Sequence, residues 1–387
     1  MDKKFVMGIA AMAALTLVSC SSDDLDSFSG NSSKNEAISF DGYLGRSAVA
    51  VNGTRGSEVK IGNLQADGFG VFGKYTPTEG QASNLFDNQK VTYSTSTIPT
   101  ESKWTYSPLK FWPANGKIDF LAYAPYDKNT TLTDDYKIEN FTVSKTIADQ
   151  NDLLWTNDMN HQLTANLSGA KEKVKFQFHH ALSRLGYTVK LPDNYSSDDV
   201  TFTLKKITLA GSSTDATKGA FYEKGTIDLS KATKDPNLWS GQTGRQYFDW
   251  FSGEYIVNKS TASHPDKVDH GNRDQNEDYL FVIPQNFSEK IGGTENTDKL
   301  YVIVEYDVTY KSGTPSTTIK NTVYKQLTTN FLQGKAYNLN LTIGLPIEFD
   351  VKVTGGINAG VDGWDAPEDG TGDINIGSND ENPWDRE

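Results

Sequence analysis

Lys173-Val174-Lys175-Phe176-Gln177-Phe178-His179-His180-Ala181-Leu182-Ser183-Arg184-Leu185-Gly186-Tyr187-Thr188-Val189 is the stretch whose reading decides the fold class. Val174, Phe176, Phe178, His180 and Leu182 take every second position against Lys173, Lys175, Gln177 and His179. A period of two sends alternate side chains to opposite faces, so one face of this strand is buried and the other is wet. The apolar parity then moves to Leu185, Tyr187 and Val189, and a bulge or short turn is expected near Ser183-Arg184. Working outward, Ile38 and Phe40 alternate with Ser39 and Asp41, Phe69 and Val71 with Gly68 and Gly70, and Ile118, Phe120 and Ala122 with Asp119, Leu121 and Tyr123. Further strands are expected at Phe202 to Leu209, Tyr279 to Ile283, Tyr301 to Tyr310, Thr317 to Tyr324, Ala336 to Ile343 and Ile347 to Val353. Prolines 77, 108, 113, 125, 192 and 284 fall at run ends, and many of the 33 glycines lie between runs. Many short strands with turn-rich connections and no long amphipathic helix indicate an all-β chain of β-sandwiches.

At 387 residues the chain has room for two domains. Its 19 Phe, 18 Tyr and 7 Trp supply enough burial for sizeable cores. A net charge of -13 has the wrong sign for neutralising phosphates, which excludes nucleic acid as a partner. The one cysteine excludes an intrachain disulfide or a cysteine-clustered metal site.

That cysteine is Cys20, and its position accounts for it. Asp2-Lys3-Lys4 precedes an uncharged apolar run of 14 residues, Phe5 to Val18. The run falls short of the roughly 20 residues that span a bilayer as a helix, and it reads as a secretory signal peptide over 1–19. Leu17-Val18-Ser19-Cys20 resembles the bacterial lipobox, which implies diacylglycerol on the Cys20 thiol and an acylated chain stable on a membrane. Ser21-Ser22-Asp23-Asp24-Leu25-Asp26 and the Ser, Gly and Asn rich residues beyond it make 20–36 a lipidated tether. A polar, small-residue shift at Asn157 to Lys171 marks a domain boundary, giving an amino-terminal sandwich over 37–168 and a carboxy-terminal one over 169–354. Residues 355–387 form an acidic tail.

Motifs for chemistry are weak. Gly68-Phe69-Gly70-Val71-Phe72-Gly73 fits G-x-G-x-x-G, but Pro77 blocks the helix that would present amides to a pyrophosphate. Alternation turns His179 outward and His180 inward, so the pair cannot share a metal, and His180 reads as a packed, hydrogen-bonded core residue. His264, Asp266, Asp269 and His270 lie in a loop without the ligand order of an EF-hand. No G-x-S-x-G, H-E-x-x-H or P-loop occurs, so neither an enzyme nor a cofactor or metal site is expected. Trp104, Trp112, Trp155 and Trp250 offer an alternative, a sugar-stacking platform on a monomeric surface lipoprotein that binds glycans.

An ordered set of segments resembles the fimbrillin family of Bacteroidetes, the Mfa-like and FimA-like subunits of type V pili. It comprises the lipobox at Cys20, Ile38-Ser39-Phe40, Phe69-Gly70-Val71-Phe72, Phe111-Trp112-Pro113 and Ile118 to Pro125. Val174 to Leu185, Val282-Ile283-Pro284-Gln285, Gly334 to Leu339 and Ile347-Glu348-Phe349-Asp350 with Trp364 follow. The resemblance implies two tandem transthyretin-like β-sandwich domains and travel to the outer membrane as a lipoprotein. It also implies Arg-specific cleavage after the first strand and head-to-tail polymerisation as the next subunit's strand fills the vacated groove. Arg46 and Arg55 match the cleaved loop, and Ile347, Phe349, Val351 and Val353, or the Ile374 to Ile376 region, match the donor strand. Implied partners are other pilin subunits and a host protein or glycan.

Overall fold

Strands dominate the computed structural model, which describes residues 37–44, 61–97, 103–163, 173–192, 195, 198–233, 235–257, 279–344, 348–355 and 364–365. The first elements in chain order are β1 (Phe40–Leu44), α1 (Ile61–Asp67), β2 (Phe69–Thr76), β3 (Ser83–Ser94) and β4 (Lys103–Thr105). Next come β5 (Lys117–Ala124), β6 (Lys137–Thr142), β7 (Leu154–Gln162), β8 (Val174–His180), β9 (Ser183–Lys190), β10 (Val200–Ala210), β11 (Lys224–Asp228) and β12 (Trp239–Thr243). The remainder are β13 (Phe248–Val257), β14 (Leu280–Val282), β15 (Gln285–Asn286), β16 (Lys290–Ile291), β17 (Thr294–Glu295), β18 (Leu300–Tyr310), β19 (Thr317–Leu327), β20 (Asn330–Phe331), β21 (Ala336–Gly344) and β22 (Glu348–Gly355). The all-β class read from the period of two is therefore observed.

A seven-stranded sheet runs β1-β8-β7-β5-β2-β3-β4, with β1 parallel to β8 and the remaining pairs antiparallel. One face of it carries Phe69, Val71, Ile118, Phe120, Val174, Phe176 and Phe178 into a first core, as the alternation requires. Central strand β5 is buried on both faces, because Leu121 and Tyr123 on its other side enter a second core. Asp119 on that strand is kept in order by two donors: the Tyr136 hydroxyl at 2.7 Å and the Asn160 amide at 2.8 Å. A buried carboxylate needs such partners to offset its lost hydration.

The second core lies between the antiparallel sheet β13-β10-β18-β19 and the mixed sheet β14-β9-β21-β22, with β12-β11-β6 alongside. Register shifts between Leu204 and Lys206 against both neighbours mark a bulge at Lys205. The extra residue moves the inward parity from Phe202 and Leu204 to Ile207 and Leu209 and so keeps both ends of β10 in the core. The chain leaves the first sheet at Ala181-Leu182, two residues before the expected turn. There the Ala181 amide donates to Leu153 O at 2.8 Å and the Gly334 amide to Leu182 O at 2.8 Å. β8, which a division at 168–169 assigns to the carboxy-terminal half, pairs with β1 and β7 of the first sheet. His180 is packed as expected: its Nδ1 lies 2.8 Å from Asp152 Oδ2, and its ring stacks on Trp364 at 3.9 Å.

Candidate functional site

β1 is the outermost strand in the hydrogen-bonded order of the seven-stranded sheet, and it is the piece of that sheet furthest from its partners in sequence. Its parallel register sets Phe40 opposite Val174, Gly42 opposite Phe176 and Leu44 opposite Phe178. The Val174 amide donates to Ser39 O at 2.9 Å. On the other flank the Ile38 amide donates to Lys110 O at 2.8 Å, and Ala37 bridges Phe111. The strand thus closes the gap between β8 and the 106–111 segment.

Alternation then turns β1 into a plug. Ile38, Phe40 and Leu44 point inward and are 1%, 2% and 3% exposed, whereas Tyr43 faces out at 41%. The Phe40 ring meets Phe86 at 5.3 Å, Tyr106 at 5.4 Å, Phe176 at 5.6 Å and Phe120 at 6.0 Å. Tyr106 also donates its hydroxyl to Ile38 O at 2.7 Å. Burial pushes that phenol above its usual value, and the Lys110 amide, donating to the same oxygen at 3.3 Å, offsets part of the rise. At this neutral site the arrangement binds a strand by apolar burial and main-chain hydrogen bonds, the two ingredients of strand addition.

The residues singled out from sequence divide into three groups. Cys20, Arg46, Arg55 and Ile347 lie outside the described residues, as do His264 and His270. Phe349, Val351 and Val353 sit in β22, antiparallel to β21, with Ile343 opposite Phe349, Leu341 opposite Val351 and Leu339 opposite Val353. Val351 and Val353 are 1% and 0% exposed within the second core, so these side chains are seated in their own subunit. Trp104, Trp112, Trp155 and Trp250 are all buried and divided between the two cores, which leaves no shared platform for a sugar. The walls of the β1 cleft, Phe69, Phe86, Trp104, Tyr106, Phe120 and Phe178, were not legible as a site, because they come from five strands and the segment just after β4, spread over 110 residues. The one local signal was the density of aromatic residues on period-two strands.

An all-β chain whose first described strand plugs an aromatic cleft defines a class of protein. Residues 54–364 match the fimbrillin-like family, so the chain belongs to that family. Fimbrium subunit Fim1C of Phocaeicola vulgatus is 26% identical, in an alignment covering 95% of this chain and 98% of that relative. The crystal structure of a fimbrial protein from Bacteroides vulgatus superposes with a TM-score of 0.54 at 22% identity, covering 83% of this chain and 99% of that one, which shows a common fold.

Proposed function

We propose that this chain is a structural and adhesive subunit of a surface fimbrium. In this reading it is exported as a lipoprotein through Cys20 and held at the outer membrane by its acyl chains. An Arg-specific protease cuts at Arg46 or Arg55, and subunits then polymerise head to tail by strand replacement. The two cores are read as two tandem sandwich domains, the first of which receives the incoming strand.

The observation that carries the reading is β1 as a plug. Its inward side chains fill an aromatic cleft, and only residues 45–60, where both arginines stand, connect it to the next described element, α1. A cut in that stretch leaves the strand attached by non-covalent contacts alone. Its departure would strip partners from β8 and uncover apolar pockets, both costly unless refilled. The Phocaeicola vulgatus relative, a fimbrium subunit, supports the same role. A head-to-tail contact of this kind does not close on itself, so a filament results. The incoming strand comes from the Ile347 to Val353 segment or from the region of Ile374 to Ile376.

Treating the purified full chain with an Arg-specific protease and weighing the products tests this function. Linear oligomers whose subunits begin at Ser47 or Gly56 are expected. Complete cleavage with monomers persisting would overturn the polymerisation reading.

A further inference from the structure

Arginine is scarce in this chain: only six of the 37 Lys and Arg residues are Arg, and of these Arg184 and Arg245 alone fall among the described residues. Arg184 is 1% exposed, out of a protease's reach in the native fold. Arg245 lies at the surface, in the connection between β12 and β13. Its Gly244-Arg245 step repeats the Gly45-Arg46 step of the proposed cleavage stretch, so local sequence does not separate the two positions.

The fold separates them by what it does to Arg245. The side chain is already occupied: Nη2 donates to both carboxylate oxygens of Asp298, at 2.8 and 3.0 Å, and the guanidinium carbon stands 3.5 Å from the centre of the Tyr222 ring. Asp298 is fixed in turn, accepting from Gln285 Nε2 at 3.0 Å while its amide donates to Asn296 Oδ1 at 3.0 Å. A carboxylate and an aromatic face are the partners that a pocket selecting Arg would have to offer in their place. The carbonyl is covered as well. A Cβ added at Gly219 would stand 2.4 Å from Arg245 C and 2.6 Å from Arg245 O, so the backbone at 219 lies against the carbon that hydrolysis attacks. The residue beyond the bond is paired on both sides: the Gln246 amide donates to Phe221 O at 2.8 Å, and Gln246 O accepts from the Ala220 and Phe221 amides at 2.9 and 3.1 Å.

Resting on the Arg-specific cleavage proposed above, we propose that Asp298, Tyr222 and Gly219 form a protective clamp on Arg245, which denies the protease the Arg245–Gln246 bond. A cut there would part β9 to β12 from β13 and every later strand, dividing the second core, whereas a cut within 45–60 leaves that core on one chain. A protease needs its substrate extended, so cleavage in a paired stretch follows local opening and tracks the population of the open form. The clamp ties Arg245 to a residue 53 positions away and so opposes that opening. Lysine at 245 would keep the charge without the planar group that both pairs with a carboxylate and stacks on a ring.

The test digests the natural full chain, Asp298→Ala, Asp298→Ala combined with Arg245→Lys, and Glu254→Ala with an Arg-specific protease, and follows by mass the fragments that begin at Gln246. Glu254→Ala breaks the exposed Lys205–Glu254 pair on β13 and controls for general loosening. Urea midpoints check folding before digestion, with Asp298→Asn, which keeps the shape and removes the charge, as the substitute if the alanine variant is unfolded. Asp298→Ala is expected to release Gln246 fragments about tenfold faster or more than the natural chain. Glu254→Ala should match the natural chain, and Arg245→Lys should stop the release. Equal release from the natural chain and Asp298→Ala, or equal release from Asp298→Ala and Glu254→Ala, overturns the clamp. A natural chain left uncut at both Arg46 and Arg55 overturns the cleavage reading itself, a separate result from the ratio measured at Arg245.

Discussion

Replacing Phe40 by alanine removes the largest side chain of the plug at its most crowded point. The ring is nearly inaccessible and lies within 6.0 Å of four other aromatic rings. Truncating a buried phenylalanine costs about 3 to 5 kcal/mol through lost transfer energy and the cavity left behind. Aromatic pairs contribute about 0.5 to 1.5 kcal/mol beyond area burial, which places Phe40→Ala in the upper part of that range. Tyr43 stands on the outward face of the same strand, and its truncation should cost about 0.5 kcal/mol or less. With a urea slope of about 1 to 3 kcal/mol per molar, a 4 kcal/mol loss lowers the midpoint by more than about 1 M. The same loss matters after cleavage, when β1 is held by these contacts alone. Each 1.4 kcal/mol is a factor of ten in binding, so the severed strand should be held about a thousandfold more weakly in Phe40→Ala. Urea titration monitored by tryptophan fluorescence gives the first quantity, and native mass spectrometry of the cleaved protein gives the second. Equal midpoints and equal strand retention for Phe40→Ala and Tyr43→Ala would refute the plug.

Three further outcomes are expected. Cys20→Ala should abolish acylation, because no other thiol exists to accept the lipid, and palmitate label remaining on the variant would show otherwise. Gly42→Val in the uncleaved chain should cost about 1 to 3 kcal/mol by overpacking against Phe69, Phe178 and Trp104, read as a lower urea midpoint; an unchanged midpoint would mean that the cleft yields there. Burial pushes the Tyr306 phenol up to about 12, against roughly 10 in the unfolded chain, so its contribution is complete below pH 10 and is lost as pH rises through 12. Tyr306→Phe should therefore lose less stability than the natural chain between pH 10 and 12, and identical alkaline profiles would contradict this.

Strand existence was legible wherever one face is wet. Lys175 and Gln177 alternate with Phe176 and Phe178 because β8 is covered on one face only at those positions, and local sequence records that directly. On β5 the record is ambiguous: Leu121 and Tyr123 occupy the positions expected to face water, yet they are buried by a second core that a short window cannot see. The parity change in β10 is visible in the sequence as the step from Leu204 to Ile207, and its cause is the bulge at Lys205. The pairing of β1 with β8 joins residues more than 130 positions apart, so no local pattern could reveal it. Gly42 illustrates the limit most clearly. A glycine inside a strand carries no local sign of what packs over it, and in the fold Gly42 is the place where rings from three other strands meet. The tryptophans carry the converse lesson, since their residue type is compatible with a sugar platform until burial is known.

Amide hydrogen exchange along β8 tests the central claim most directly, because under the proposed strand replacement β8 would lose and then regain a partner. In the intact chain the Val174 amide, which donates to Ser39 O, and the amides that follow it should be protected. Cleavage and removal of β1 should speed their exchange by about a hundredfold or more, as expected when strand pairing and its cover are lost. Assembly should restore the protection over the same residues, Val174 to Phe178, while β18 in the second core stays protected throughout. Exchange at β8 that is unchanged by removal of β1, or that stays fast in the assembled oligomer, would contradict replacement of one strand by another.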